Sequence, residues 1–93
     1  EEAALRRCRL FCDEWAQASA GGELAHAVAA GAVERADVTQ IGDVLTGAAP
    51  GRLSPEDITL FDSTGLAIQD LALAATVYES WREGRIAAPS APL

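Results

Sequence analysis

Lysine and methionine are both absent from this chain, and all seven basic residues are Arg, set against 14 Asp and Glu. The resulting net charge of −7 argues against nucleic acid or an anionic membrane as partner, because both require clustered positive charge. Arg6, Arg7, Arg82 and Arg85 fall near the chain ends, but acidic neighbours dilute them and they read as solvated surface. No apolar run approaches the roughly 20 residues of a membrane-spanning helix. Cysteine is scarce. Cys8 and Cys12, with His26 as the single histidine, offer too few ligands for a zinc site. Their spacing also does not suit a disulfide unless the chain turns between them. Reduced, buried thiols in a cytoplasmic protein are the expectation. Phosphate-cradling loops of the GxGxxG or GxxxxGK[ST] kind are missing. A lone histidine cannot complete a Ser-His-Asp triad, and His26 is expected on the surface.

Ninety-three residues make at most one small domain. The chain begins without Met, inside a charged, helical stretch (Glu1–Arg7) unlike a signal peptide. We therefore expect the natural protein to extend upstream.

Arg9–Asp13 is a short apolar run ending on an acid, which predicts a strand buried on both faces, as in a parallel sheet. Asp13 is placed to cap a following helix, Glu14–Ala20, which stops at Gly21-Gly22. Glu23–Ala30 reads as a second helical piece. Arg35–Leu45 reads as a third, because Val38, Ile41, Val44 and Leu45 recur at helical spacing. Thr46–Gly51 is a breaker-rich surface loop. Ile58–Phe61 is the second strand, and a long helix is predicted from Thr64 to Glu83. Two strands are too few for a stable sheet, so they call for partners outside this chain.

The last helix is apolar nearly all round: Leu66, Ile68, Leu71, Leu73, Val77, Tyr78 and Trp81 leave only a narrow polar stripe. Such a surface is either that of an ordinary core helix or that of a helix packing into another domain or subunit. Asp70 interrupts the apolar face and needs either a partner or the favourable dipole of the helix start.

Asp62-Ser63-Thr64-Gly65 joins the second strand to this helix. In an α/β sheet, ligands bind where strands end and helices begin. Asp62 or Ser63 suffices to cap the helix. Capping requires neither both hydroxyls nor a glycine after them, whereas a polar ligand approaching the backbone would use both.

Three segments carry a resemblance. They are Ile41-Gly-Asp-Val-Leu-Thr-Gly-Ala-Ala-Pro-Gly-Arg52, then Asp57-Ile-Thr-Leu-Phe-Asp-Ser-Thr-Gly-Leu-Ala-Ile-Gln-Asp70, then Ala75-Thr-Val-Tyr-Glu79. Together they resemble the C-terminal third of the ornithine cyclodeaminase/mu-crystallin family. The upstream strand ending in Asp13, followed by Gly22-Glu23-Leu24, fits as well. The resemblance implies an α/β fold in which residues 1–62 are the distal part of a Rossmann-type NAD(P)-binding domain. Residues 63–86 would form the helix returning to a substrate and dimerisation domain, and 87–93 a disordered tail. It implies hydride transfer between NAD or NADP and a carbon bearing an amine or imine, on a small amino acid or cyclic imine, in a homodimer formed through the last helix. Ser63 would lie at the nicotinamide end of the cofactor, with Asp62 and Thr64 beside it and Glu23 toward the substrate.

The family's pyrophosphate-binding glycines, its substrate-binding arginine and lysine, and its proton-transferring aspartate are not in these residues. The isolated chain is therefore expected neither to bind NAD(P) nor to turn over amino acids. Two other readings stand beside the enzyme: a mu-crystallin-like protein that holds cofactor and ligand, and an acidic interaction module pairing through its apolar helix.

Overall fold

A computed structural model describes residues 2–91. After a single helical turn, α1 (Glu2–Leu5), the chain enters strand β1 (Cys8–Cys12). Two short helices follow, α2 (Trp15–Gly21) and α3 (Ala25–Ala29), then β2 (Val38–Gln40), α4 (Ile41–Leu45), β3 (Ile58–Asp62) and the long α5 (Ala67–Arg82). The three strands form one parallel sheet in the order β2-β1-β3. Register pairs Leu10 with Val38 and Leu60, and Cys12 with Gln40 and Asp62. All three strands therefore end on one edge, and the turn carrying Ser63 leaves from it.

The α/β parallel architecture is as anticipated, but several elements differ. The stretch 35–45 is not one helix. It is a 3-10 turn (Arg35–Asp37), then β2, then α4. Val38-Thr39-Gln40 pairs with Leu10-Phe11-Cys12, and Val38 is buried to 2% exposure. A three-residue strand shows no alternation, and the step from Val38 to Ile41 matches helical spacing equally well. Tertiary pairing decided the outcome. The long helix starts at Ala67 rather than Thr64, because Gly65 sits at φ +81°, outside right-handed helical space.

The core lies between the sheet and helices α2 and α3. Leu10, Cys12, Ala18, Leu24, Ala27, Val33 and Val38 form one buried cluster. Leu24 and Cys12 are fully enclosed; burying a leucine side chain stabilises by about 1.5–3 kcal/mol. Both thiols are free, and burial pushes the Cys12 thiol up from its ordinary value despite the nearby Arg35. Arg9 stacks over Phe11, 5.9 Å from the ring centre; Phe61, the register partner of Phe11, is half exposed. The loop before β3 is pinned to the strand. Arg52 donates to the Asp57 carbonyl and to Thr59 Oγ1 (3.0 Å), and the Asp57 carboxylate accepts from the Leu53 and Ser54 N–H groups.

Helix α5 takes no part in that core. Ile68, Leu71 and Leu73 are 66–69% exposed, and Val77, Tyr78 and Trp81 are also open. The described chain leaves this apolar surface uncovered. A compact chain of this length has a radius of gyration of about 12 Å; this one has 17.6 Å and extends over 52 × 30 × 22 Å. Asp70 is exposed in the first turn of α5, where the dipole favours its charge. Residues 87–91 have no regular structure, and residues 88–91 lie beside Val77, Tyr78 and Trp81. Residues 92 and 93, the end of the expected disordered tail, fall outside the described residues, as does Glu1, where the helical stretch is expected to begin.

Candidate functional site

At the carboxyl edge of the sheet two buried aspartates organise the turns. Asp62 closes β3 and is 4% exposed. Its Oδ2 accepts the Leu24 N–H at 3.0 Å. This ties the end of β3 to the turn between α2 and α3, across 38 residues of sequence. Gly22 stands against the same carboxylate: a Cβ there would lie 2.3 Å from Asp62 Oδ2.

Asp13, one residue beyond β1, is 7% exposed. It does not cap α2 as the sequence suggested. The cap is Glu14, whose carboxylate accepts the Gln17 N–H at 2.9 Å. Gln40 of β2 accepts the Trp15 N–H at 2.9 Å. Asp13 turns instead toward the β3–α5 junction. It accepts the Gly65 N–H at 2.8 Å, the Thr64 hydroxyl at 2.9 Å, the Ser63 hydroxyl at 3.4 Å and the Gln69 amide at 3.5 Å, as well as the Glu14 N–H at 2.8 Å. Burial works against its charge, but these donors outweigh it. They lower its pKa to about 2, led by the Gly65 N–H and the Thr64 hydroxyl.

Neither Asp62 nor Ser63 caps α5. Its N-cap is Leu66, whose N–H is accepted by the Gln69 side chain at 3.4 Å. The polar residues at the junction are thus free of the capping role. Ser63 is exposed and Thr64 half-buried. Both line a cleft of about 370 Å³ with Gly21, Gly22, Glu23, His26 and Asp62. A neighbouring cleft of about 470 Å³ shares Glu23, His26 and Asp62, and adds Leu5, Ala27, Leu60 and Phe61. The structure therefore brings Ser63, Asp62, Thr64 and Glu23 to one opening. Glu23 is exposed there, while the Asp62 carboxylate is engaged with Leu24 and the Ser63 and Thr64 hydroxyls donate to Asp13. His26 also lines the opening, where sequence reasoning placed it only on the surface.

The chemistry of this lining is selective. It offers two hydroxyls, two carboxylates, an imidazole and glycine backbone; among the described residues that line it there is no Arg. A neutral carboxamide or a positively charged ring fits such a surface. A pyrophosphate does not.

The sequence profile of the ornithine cyclodeaminase/mu-crystallin family matches residues 1–85. The chain belongs to this family. An alanine dehydrogenase of Archaeoglobus fulgidus is 48% identical over 77 residues, covering 82% of this chain and 24% of that protein. The iminosuccinate reductase of Paracoccus denitrificans is 44% identical over 79 residues, 85% of this chain and 24% of its own length. Among solved structures, an archaeal alanine dehydrogenase dimer with bound NAD matches with a TM-score of 0.79 at 39% identity, over 100% of this chain and 29% of that one. The P. denitrificans iminosuccinate reductase in complex with NAD+ matches with a TM-score of 0.77 at 41% identity, over 90% of this chain and 26% of that one. The chain thus spans about a quarter of the length of these relatives. Among its described residues, no helix is long and apolar enough to cross a membrane.

Proposed function

We propose that this chain supplies the nicotinamide corner and the domain-returning helix of an NAD(P)-dependent amino-acid dehydrogenase or imine reductase. In this reading residues 1–62 are the distal part of the dinucleotide-binding domain, and 63–86 carry the chain to a substrate and dimerisation domain. The supporting observation is the shared cleft. Ser63, Thr64, Asp62 and Glu23 meet at the carboxyl edge of a parallel sheet, in a segment whose relatives hold NAD.

When bound, the nicotinamide supplies the hydride acceptor or donor. The Ser63 hydroxyl would bind its carboxamide, with Thr64 fixing the turn. Glu23, across the cleft, presents a carboxylate toward an amine- or imine-bearing substrate. The phosphates are held by segments outside these residues, consistent with the absence of Arg among the described lining residues. The same division makes the isolated chain inactive. The protein acts as a homodimer through α5, in the cytoplasm.

A turnover assay on the whole protein with NAD(P)H and alanine, ornithine, iminosuccinate and cyclic imines tests the reading. Cofactor-dependent turnover of at least one, reduced tenfold or more by Ser63→Ala, is the expected result. Binding of NADH without turnover of any would favour a mu-crystallin-like binding protein. No NADH binding at all would overturn both and leave the acidic interaction module.

A further inference from the structure

We propose that Asp13 is the positioning residue of this corner: its buried carboxylate gathers Ser63, Thr64, Gly65 and the first turn of α5 into one clasp, and so fixes where the Ser63 hydroxyl meets the nicotinamide. The inference rests on the functional reading above and adds a residue that touches neither cofactor nor substrate.

The geometry is unusual for a carboxylate with only a local duty. A capping aspartate spends its acceptors on N–H groups within three residues. Asp13 gives one oxygen in part to its neighbour Glu14, and everything else goes to groups 50 to 56 residues away in sequence. Those groups are consecutive: Ser63, Thr64 and Gly65 are bound by one side chain. Gly65 adopts φ +81°, which turns the chain so that its N–H and the two hydroxyls converge. Gln69 extends the clasp into α5, since its side chain both approaches Asp13 and accepts the Leu66 N–H.

Without an acceptor at Asp13, the Gly65 N–H and the Ser63 hydroxyl lose their partner together, and the Thr64 hydroxyl keeps only the longer contact to Gln17 Oε1 at 3.3 Å. The turn then has few other contacts to hold it, because the helix that follows takes no part in the buried core of the described chain. Ser63, exposed at the cleft, is the residue whose position is then least determined. A preorganised hydroxyl binds a carboxamide better than a mobile one, because its ordering cost has already been met.

Two measurements on the whole protein test this. The first is amide hydrogen exchange across residues 63–69 without ligand. Asp13→Asn keeps size and shape but removes the charge and one acceptor, and it should speed exchange there tenfold or more while leaving β1 and β3 protected. The second is NADH affinity by fluorescence. Asp13→Asn should weaken it tenfold or more, and the Asp13→Asn/Ser63→Ala double variant should be no weaker than the poorer single variant. Unchanged exchange, unchanged affinity or additive losses would each overturn the positioning role. If Asp13→Asn does not fold, Thr64→Val, which removes one donor, decides the matter: it must still speed exchange at 63–66, and no change overturns the proposal. Wild-type protein that binds no NADH would instead defeat the functional reading, and with it the cofactor-positioning role of Asp13; the exchange arm would then show only whether the clasp exists.

Discussion

Gly22 and the Asp62 carboxylate occupy the same place: any side chain at 22 would meet Oδ2 at 2.3 Å. The backbone at Gly22 is ordinary and extended, with φ −84° and ψ −174°, so the requirement for glycine is steric rather than conformational. Gly22→Ala should push Asp62 off the Leu24 N–H and leave buried polar groups unpaired. A loss of about 1–3 kcal/mol is expected in urea unfolding. The neighbouring Gly21→Ala, which has open space around it, should change stability by no more than about 0.5 kcal/mol.

Stability should fall with acid through a defined group. Asp13 has a pKa lowered from 3.8 to about 2. A carboxylate depressed in the folded state contributes stability that is fully present above its unfolded value and is lost as pH falls through its folded one. The advantage of wild type over Asp13→Asn should therefore be constant above pH about 5 and shrink to little near pH 2. Urea midpoints of both proteins across that range measure it. An advantage that persists undiminished at pH 2 would show that the charge is not what holds the clasp.

The isolated 93-residue chain should not bind cofactor. Its cleft has no Arg in its lining among the described residues and offers nothing to hold a pyrophosphate. A fluorescence titration with NADH should show no saturation; a micromolar dissociation constant would contradict the division of labour proposed above.

Helix α5 should be an assembly surface. Leu71 and Val77, 69% and 49% exposed, lie on the apolar face that this chain leaves open. Leu71→Ser with Val77→Ser should shift the whole protein from dimer toward monomer in sedimentation velocity, with little change in the unfolding of the sheet. A species distribution unchanged by the substitutions would place the contact elsewhere.

The sequence was most legible where one residue type has one use. The β-branched run before Asp62, the glycine after two hydroxyls, and a long apolar helix all announced themselves. The β3–α5 corner stood out because its local chemistry exceeds what a cap needs. Two features escaped. Strand β2 did so because three residues carry no period, and Val38 and Ile41 fit a helix as well as a strand. Asp13 did so because its partners lie 50 or more positions away. One carboxylate before a helix looks like a cap until the far side of the sheet is in view. Glu14, one position later, took that duty.

Gln69 belongs to α5 yet reaches Asp13, so the helix and the hydroxyl corner share a fulcrum. If α5 docks against a partner, that contact would bear on a lever 16 residues long, whose near end adjoins the Ser63 turn. Subunit contact and grip on the nicotinamide would then be read out at a single hinge, and a molecule that wedges beneath the helix would loosen that grip without entering the cleft.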